Sequence, residues 1–208
     1  MPYRYIAIEG NIGAGKTTLA TRLAAHYSAR LVLEEFADNT FLPKFYAEPD
    51  RYAFPLELSF LAARYAQLKA VLGVPDLFEA QIISDYVFTK SKLFARVNLK
   101  PDEWELFSKL FDIIDPQLPA PELMIFLQAP VPLLQQHIHQ RARSYEQAIP
   151  DAYLTSVGDV YAEFLKGVKC PLIIVDSTRV DFLNNEVQWQ QLIALLDAGL
   201  EKAVYYFT

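Results

Sequence analysis

Short apolar runs alternate with longer stretches of mixed polarity along this chain. The runs predict five strands, at about Tyr3–Glu9, Leu31–Glu34, Gln81–Ser84, Leu123–Leu127 and Leu172–Val175. The stretches between them have helical spacing and predict helices at Thr17–Ala29, Phe41–Tyr46 (a short helix or turn), Arg51–Leu72, Thr89–Val97, Asp102–Ile114, Val131–Arg141, Asp151–Lys166 and Glu186–Leu200. Continuous apolar strands that alternate with helices are typical of a parallel sheet covered on both faces. The pattern therefore predicts a three-layer α/β fold with a five-stranded parallel sheet flanked by helices.

Composition narrows the class of protein. The chain has 208 residues, 52% of them apolar and 21% charged, with no internal repeat or linker, so we expect a single domain over residues 1–208. The net charge of −6 argues against a partner as anionic as duplex nucleic acid. A single cysteine, Cys170, excludes an internal disulfide and a Cys-based zinc site. No run approaches a membrane span and the N-terminus does not resemble a signal peptide, so we expect a cytoplasmic protein.

Glycine is concentrated at one point of the chain. Of seven glycines, three lie within six positions, in Gly10-Asn11-Ile12-Gly13-Ala14-Gly15-Lys16-Thr17, which fits the motif G-x-x-x-x-G-K-[ST] between a predicted strand and a predicted helix. Such a loop turns backbone N–H groups toward phosphate oxygens, while the lysine adds a point charge and the hydroxyl a ligand for Mg²⁺. The motif predicts a nucleoside triphosphate site.

Candidate metal and proton-transfer groups follow three of the predicted strands. Asp85 and Asp176 each end a strand and could hold Mg²⁺. A turn or cap role is the favoured reading for Asp176 and an equal alternative for Asp85. Glu34 and Glu35 end the second strand, where one of them could accept a proton from an attacking hydroxyl or both could be loop carboxylates.

The long helix carries two isolated charges on an aromatic face. Pro49-Asp50 predicts its start, with Asp50 as the N-cap. Glu57 and Arg64 are seven residues apart and lie nearly one above the other. Two interpretations remain equal: a buried Glu57–Arg64 ion pair, or a pair that recognises the polar edge of a flat ligand such as a nucleobase.

Two arginines end a later helix. Arg141 and Arg143 could turn onto one phosphate chain as a lid over about residues 141–150, or could complement the helix dipole.

The chain resembles the deoxyribonucleoside kinases, including the bacterial deoxyadenosine and deoxyguanosine kinases. The resemblance covers most of the chain and rests on IEGNIGAGKTT (Ile8–Thr18), EEFADNTFLPKFYAEPDRYAFPLEL (Glu34–Leu58), RARSYEQAIP (Arg141–Pro150) and, more weakly, DSTRVDF (Asp176–Phe182). It implies a P-loop nucleoside-kinase fold and transfer of the γ-phosphate of ATP or another triphosphate to the 5′-hydroxyl of a deoxyribonucleoside. It also implies Mg²⁺ as cofactor and a homodimer.

Roles for individual residues come with this resemblance. It implies that Glu34 acts as base on the 5′-hydroxyl and that Lys16, Arg141 and Arg143 stabilise the transferred phosphate. ATP would contact the loop from Gly10 to Thr18, and Asp181 and Phe182 would lie around its adenine. Thr17 and Asp85 would hold Mg²⁺. The nucleoside would contact Glu34, Asp85 and five more residues: Tyr46 and Glu146 at the 3′-hydroxyl, and Leu56, Glu57 and Arg64 near the base.

Two departures from the family pattern change the expectations. The family has an acidic residue, Arg and Ser after strand 3, whereas this chain has Asp85-Tyr86-Val87, so Lys90 or Lys92 could replace the arginine. Glu57 stands where the family usually has glutamine. An ionised glutamate only accepts hydrogen bonds, which favours a purine, guanine first, because guanine presents two adjacent donors.

Two other functions remain open. A thymidylate-type kinase needs a cation near the second strand for its phosphorylated acceptor, and the segment Glu34–Asp38 has none. A non-catalytic nucleotide-binding module would explain the missing arginine, but it would need neither Glu34 nor the lid arginines.

Overall fold

The computed structural model describes residues 1–35, 39–73 and 81–208 and contains one parallel sheet. Its strands are β1 Tyr5–Gly10, β2 Arg30–Val32, β3 Ile82–Ser84, β4 Leu123–Gln128, β5 Leu172–Asp176 and β6 Val204–Phe207. They lie in the order β2-β3-β1-β4-β5-β6, and every pairing is parallel. The predicted α/β architecture is confirmed.

The sheet has six strands within the described residues, so the predicted number of five is wrong. β6 pairs with β5 from Leu172 opposite Val204 to Val175 opposite Phe207. Its side chains alternate between exposed and half-buried, as expected for an edge strand. Val204–Phe207 is a short apolar run, but a run of this length and aromatic content does not by itself distinguish an edge strand from a tail that packs on the body.

Helices cover both faces of the sheet. They are α1 Lys16–Tyr27, α2 Leu42–Ala47, α3 Pro49–Leu72, α4 Lys90–Asn98, α5 Pro101–Ile114, α6 Val131–Arg141, α7 Asp151–Leu165 and α8 Glu186–Ala198, with short 3₁₀ turns at Asp115–Gln117 and Ser144–Glu146. The predicted N-cap of α3 is wrong: the helix begins at Pro49, so Asp50 lies in its first turn. Proline is favoured at the first helical position because its fixed φ suits the helix and its missing N–H is not needed there. Within the described residues, no helix combines the length and the apolar character needed to cross a membrane.

Alternate side chains of β1 enter two separate cores. Ile6 and Ile8 belong to a cluster with side chains of α1, α6 and α8, whereas Tyr5 and Ala7 belong to a cluster with side chains of α3, α4, α5 and α7. All six residues of β1 are buried. Since successive side chains of a strand point to opposite faces, this distribution is the three-layer arrangement predicted from the sequence.

The end of β1 lies where the chain switches direction across the sheet. β1 lies between β3 on one side and β4 on the other, so the connections after β1 and after β3 run to opposite sides. Ligands of open α/β sheets bind at such switch points, beyond the carboxyl ends of the strands. The glycine-rich loop follows β1 at this point.

Candidate active site

The glycine-rich loop adopts backbone conformations that favour glycine. Gly10, Gly13 and Gly15 have φ of 152°, 82° and 93°. A Cβ atom at Gly13 would lie 2.7 Å from the carbonyl oxygen of Leu134 in α6. The loop therefore packs directly against α6, and α1 begins at Lys16 immediately after it.

Replacing Gly13 by alanine is expected to destabilise the protein by about 1–3 kcal/mol, because the new methyl group meets a backbone carbonyl at a strained φ. The matched control is Gly158→Ala in α7, where the nearest atom to a new Cβ is 3.9 Å away. Helix propensity alone should stabilise that variant by roughly 0.5–1 kcal/mol. Urea unfolding measures both, and equal stabilities would contradict the packing described here.

Lys16 is held over the loop by backbone carbonyl groups. Its Nζ donates to the oxygens of Gly10 and Asn11, each at 2.8 Å. Burial, together with the positive charge of Lys90, lowers the pKa of Lys16 to about 8. The two carbonyl oxygens are neutral, so a bound polyphosphate would supply the counter-ion of this ammonium group. The geometry therefore suits an anion.

Asp85 connects the glycine-rich loop to the end of β2. One carboxylate oxygen accepts from Thr17 Oγ1 at 2.6 Å and the other from the backbone N–H of Glu34 at 2.7 Å. Asp85 is buried, and this arrangement is not that of a turn or a cap. Asp176, in contrast, accepts from the N–H and hydroxyl of Thr178 at the start of a turn, as favoured for it above.

The paired oxygens of Thr17 and Asp85 fit a magnesium ion. Mg²⁺ prefers oxygen ligands and usually takes one or two from the protein and the rest from phosphates and water. No group of three or more His, Cys, Asp or Glu side chains suited to a metal occurs in residues 1–35, 39–73 and 81–208. A metal held through Thr17 and Asp85 would take its remaining ligands from phosphate oxygens and water.

Glu34 is bound by two cations from different helices. Its Oε1 accepts from Nε and Nη2 of Arg64 at 2.9 and 2.6 Å, and its Oε2 accepts from Nζ of Lys90 at 2.5 Å. Burial alone would raise the pKa of Glu34, but Lys90 and Arg64 outweigh it and hold that pKa well below its ordinary value. Glu34 is therefore ionised throughout the neutral range.

Lys90 lies in the first turn of α4, and a buried carboxylate positions the segment before it. Glu9, near the end of β1, accepts from the N–H of Val87 at 2.7 Å and from the hydroxyl of Tyr161 at 2.7 Å. Burial raises the pKa of Glu9, against the charges of Lys90 and Lys16. Lys92 is half-buried and pairs with Asp112 of α5 at 2.7 Å, so of the two candidate lysines only Lys90 reaches the site.

Glu57 and Arg64 have different partners, so the first of the two interpretations left open for them, a direct ion pair, is wrong. Arg64 pairs with Glu34, donates through Nη1 to the hydroxyl of Ser91 at 2.8 Å, and stacks on the ring of Phe60 with 4.7 Å between the guanidinium carbon and the ring centre. Glu57 is 1% exposed; its Oε1 accepts from Asn98 at 2.6 Å, while its Oε2 is buried without a hydrogen-bond partner. An unsatisfied buried acceptor is costly, which points to a ligand that completes it.

The two arginines of the segment 141–150 meet at one buried carboxylate. Arg141, through Nη2, and Arg143, through Nη1, both donate to Glu146, the latter at 3.2 Å. Nearby, the rings of Tyr46 and Tyr145 stack with 6.1 Å between their centres. Burial raises the pKa of Tyr46, so its hydroxyl stays protonated and can donate.

Two pockets meet at the glycine-rich loop. The larger, of about 830 Å³, is lined by the loop from Gly13 to Thr18, by the two lid arginines and by residues 180–184. The smaller is lined by all seven of the predicted nucleoside-binding residues: Glu34, Tyr46, Leu56, Glu57, Arg64, Asp85 and Glu146. Five residues line both pockets: Gly13, Lys16, Thr17, Arg141 and Arg143.

The predicted donor residues do not all face a pocket. Gly10 and Asn11 line neither one, and Ile12 lines only the smaller. Asp181 and Phe182 line the larger pocket, but the Asp181 carboxylate is occupied by the backbone N–H groups of Leu183 and Asn184. The Asp181 carboxylate therefore holds the backbone of its own turn and is not a free acceptor in the pocket.

One wall of the smaller pocket contains Lys90, which the sequence indicated, and also Phe94, Asn98 and Tyr153, which it did not. Lys90, Phe94 and Asn98 recur every four residues and form one face of α4, and Tyr153 of α7 lies on the same pocket. The four-residue spacing could have indicated that face. No motif or residue spacing in the sequence indicated Tyr153.

A parallel α/β sheet with this glycine-rich loop, two pockets and shared cations between them defines a P-loop phosphotransferase. The family model for deoxynucleoside kinases matches residues 6–200. A deoxyguanosine kinase of Bacillus subtilis is 33% identical over 91% of this chain and 94% of its own, and a deoxyadenosine/deoxycytidine kinase of the same organism is 25% identical over 90% and 89%. The chain belongs to the deoxynucleoside kinase family.

The fold agrees with that of a solved member of the same family. A deoxyadenosine kinase from M. mycoides, solved with dCMP and a flexible dCDP, superposes with a TM-score of 0.81 over 93% of this chain and 99% of its own, at 22% identity. The predicted kinase fold is confirmed.

Proposed function

We propose that this kinase transfers the γ-phosphate of ATP or another nucleoside triphosphate to the 5′-hydroxyl of a deoxyribonucleoside, with a purine, guanine first, as the preferred base. The observation that carries the proposal is the pair of pockets that meet at Lys16, Thr17, Arg141 and Arg143. The triphosphate occupies the larger pocket and the nucleoside the smaller. The shared cations then lie between donor and acceptor, where the phosphoryl group is transferred.

Glu34 is proposed to orient the attacking hydroxyl and to take its proton. Phosphoryl transfer through a loose transition state asks little covalent work of the protein, so alignment is the larger part of catalysis. The ion pairs with Arg64 and Lys90 fix the carboxylate and keep it ionised. A fixed acceptor of this kind holds the hydroxyl hydrogen and directs a lone pair of the oxygen at the phosphorus.

Thr17 and Asp85 are proposed to hold Mg²⁺, which would supply a Lewis acid on the phosphate oxygens when bound. Lys16 and the lid arginines neutralise the remaining charge. Both arginines bind Glu146, which is also proposed to receive the 3′-hydroxyl together with Tyr46. Acceptor binding at Glu146 would thereby position the lid over the donor.

Lys90 is proposed to supply the cation next to the acceptor oxygen that this chain otherwise lacks after strand 3. It is buried, it binds the carboxylate proposed to face the hydroxyl, and its charge lies close enough to Lys16 to lower the pKa of that group. A cation in this position stabilises negative charge that develops between acceptor and phosphorus.

The preference for guanine is supported by the open oxygen of Glu57. An ionised Glu57 accepts from the ring N–H and the amino group of guanine, while the guanidinium of Arg64 can donate to the O6 atom. Of the hydrogen-bond partners of Arg64, Glu34 is charged and Ser91 is neutral. A single carboxylate therefore compensates the positive charge of Arg64.

A transfer assay with Mg²⁺, a set of triphosphate donors, the four deoxynucleosides and their monophosphates tests the proposal. We expect phosphorylation of the nucleosides, fastest for deoxyguanosine near neutral pH. Phosphorylation of monophosphates alone would favour the thymidylate-type alternative. Arg64 and Lys90 bring two cations to Glu34, although the segment Glu34–Asp38 has none of its own. Residues 36–38 of that segment lie outside the described residues. Transfer to no acceptor would overturn the proposal.

We also propose a homodimer in the cytoplasm. Leu106 and Ile113, seven residues apart on α5, are 51% and 67% exposed, and an apolar face of this kind suits contact with a second copy. Light scattering is expected to give twice the mass of one chain. A monomer at assay concentration would contradict this part of the proposal.

A further inference from the structure

Glu57 has one oxygen satisfied by the protein and one that is not. Asn98 donates to Oε1 at 2.6 Å, and Oε2 is buried without a partner in a pocket lined by aromatic and charged side chains. The amide of Asn98 does not titrate, so the partner of Oε1 is the same at every pH. The state of Oε2 decides what Glu57 offers to a base.

The two protonation states of a carboxyl group match different bases. An ionised carboxylate presents two acceptors, which suit the adjacent ring N–H and amino group of guanine. A protonated carboxyl group presents one donor and one acceptor. That pair suits adenine and cytosine, which each place an amino donor beside a ring-nitrogen acceptor.

Charged and titratable groups face Glu57 from four elements: Arg64 of its own helix, Glu34 after β2, Lys90 of α4 and Tyr153 of α7. The other such groups that line its pocket are Lys16, Tyr46, Asp85, Arg141, Arg143 and Glu146. Arg64 and Lys90 are committed to Glu34 through three hydrogen bonds, so their charge is largely compensated there.

Because no cation within residues 1–35, 39–73 and 81–208 is paired with Glu57, burial dominates its titration. Burial raises the pKa of Glu57 to about 7, against smaller opposing effects of Arg64 and of the hydrogen bond from Asn98. Both states are therefore populated at neutral pH.

We propose that Glu57 recognises the acceptor base in two protonation states: the ionised carboxylate selects guanine, and the protonated carboxyl group selects adenine or cytosine. This inference rests on the proposed function, since it assigns the smaller pocket to the nucleoside. It adds that one pocket changes its base preference with pH, through a single proton on Oε2 of Glu57.

The sign of the effect follows from the two states. Between about pH 6 and pH 8 the ionised fraction rises roughly tenfold and the protonated fraction falls roughly tenfold, for a group that titrates midway. The kcat/KM for deoxyguanosine should rise by up to about tenfold and that for deoxyadenosine should fall as much. Their ratio should change up to about 100-fold. Both substrates use the same donor site and the same Glu34, so pH effects on those groups cancel in the ratio.

Steady-state kinetics with the two nucleosides, from pH 6 to pH 8, test the inference in the wild-type protein and in Glu57→Gln. The amide always presents a donor and an acceptor. We expect the variant to favour deoxyadenosine over deoxyguanosine at every pH, with a flat ratio. A flat ratio in the wild type, or an equal slope in the variant, would overturn the inference while leaving phosphorylation itself, and so the proposed function, intact.

Titration calorimetry gives a second readout that does not need turnover. In buffers of different ionisation enthalpy, deoxyadenosine binding at about pH 8 should take up a proton, and deoxyguanosine binding at about pH 6 should release one. Neither exchange should occur in Glu57→Gln. If binding shows this proton exchange but no phosphate is transferred, the proposed function fails, and the inference that the protonation state of Glu57 selects the base stands. Binding without proton exchange would refute that inference.

Discussion

Replacing Lys90 by methionine is expected to lower kcat for phosphate transfer by about 10²- to 10³-fold, the usual cost of removing one preorganised donor from a transition state. Lys90 is buried, donates to Glu34 at 2.5 Å and lies close enough to Lys16 of the glycine-rich loop for its charge to lower the pKa of Lys16. Methionine keeps the unbranched apolar stem and removes only the charge. Nucleoside affinity should change far less than kcat, because Arg64 still binds Glu34.

Two further variants separate catalysis from structure. Lys92→Met removes a neighbouring lysine that pairs with the exposed Asp112, and it should leave kcat near the wild-type value. Lys90→Arg restores a cation and should recover part of the rate. Removing one member of a buried ion pair also destabilises a protein by several kcal/mol, so urea unfolding must accompany the kinetics. A folded Lys90→Met protein with wild-type kcat would contradict the role proposed for Lys90.

Glu34→Gln is expected to reduce kcat by about 10²- to 10⁴-fold while deoxynucleoside binding is retained, because the amide keeps a carbonyl acceptor but cannot take the proton. Arg64 and Lys90 bind different oxygens of Glu34, so the amide can accept from one cation but not from both, and urea unfolding must accompany this variant as well. Pre-steady-state transfer and calorimetric binding of the nucleoside measure the two effects separately.

The neighbouring carboxylate supplies the control for this variant. Glu35 accepts from Gln67 at 2.9 Å and is absent from both pockets, so Glu35→Gln should transfer phosphate at close to the wild-type rate. Wild-type turnover in Glu34→Gln would exclude Glu34 as the proton acceptor. An equal loss in both variants would indicate a general effect on the segment after β2.

The donor side of the site was largely readable from local sequence. The motif from Gly10 to Thr17 needs only consecutive residues, since the loop that binds phosphate is made by neighbouring backbone groups. The acceptor side was readable only through the resemblance to known kinases. Its groups come from α2, α3, α4, α7 and the segment 141–150, and no spacing along the chain records which of them meet.

The alternation of apolar runs and helical stretches by itself determined the layered fold, and one short motif determined where the phosphate site is proposed. Hydrophobic periodicity reports whether a side chain is buried but not which charge it meets. Tertiary structure alone decided that Arg64 pairs with Glu34, that Lys90 rather than Lys92 enters the site, and that Glu57 keeps an open oxygen. Each of these depends on how separate helices pack over the sheet, because the partner of a buried charge is set by distances in space and not by separation along the chain.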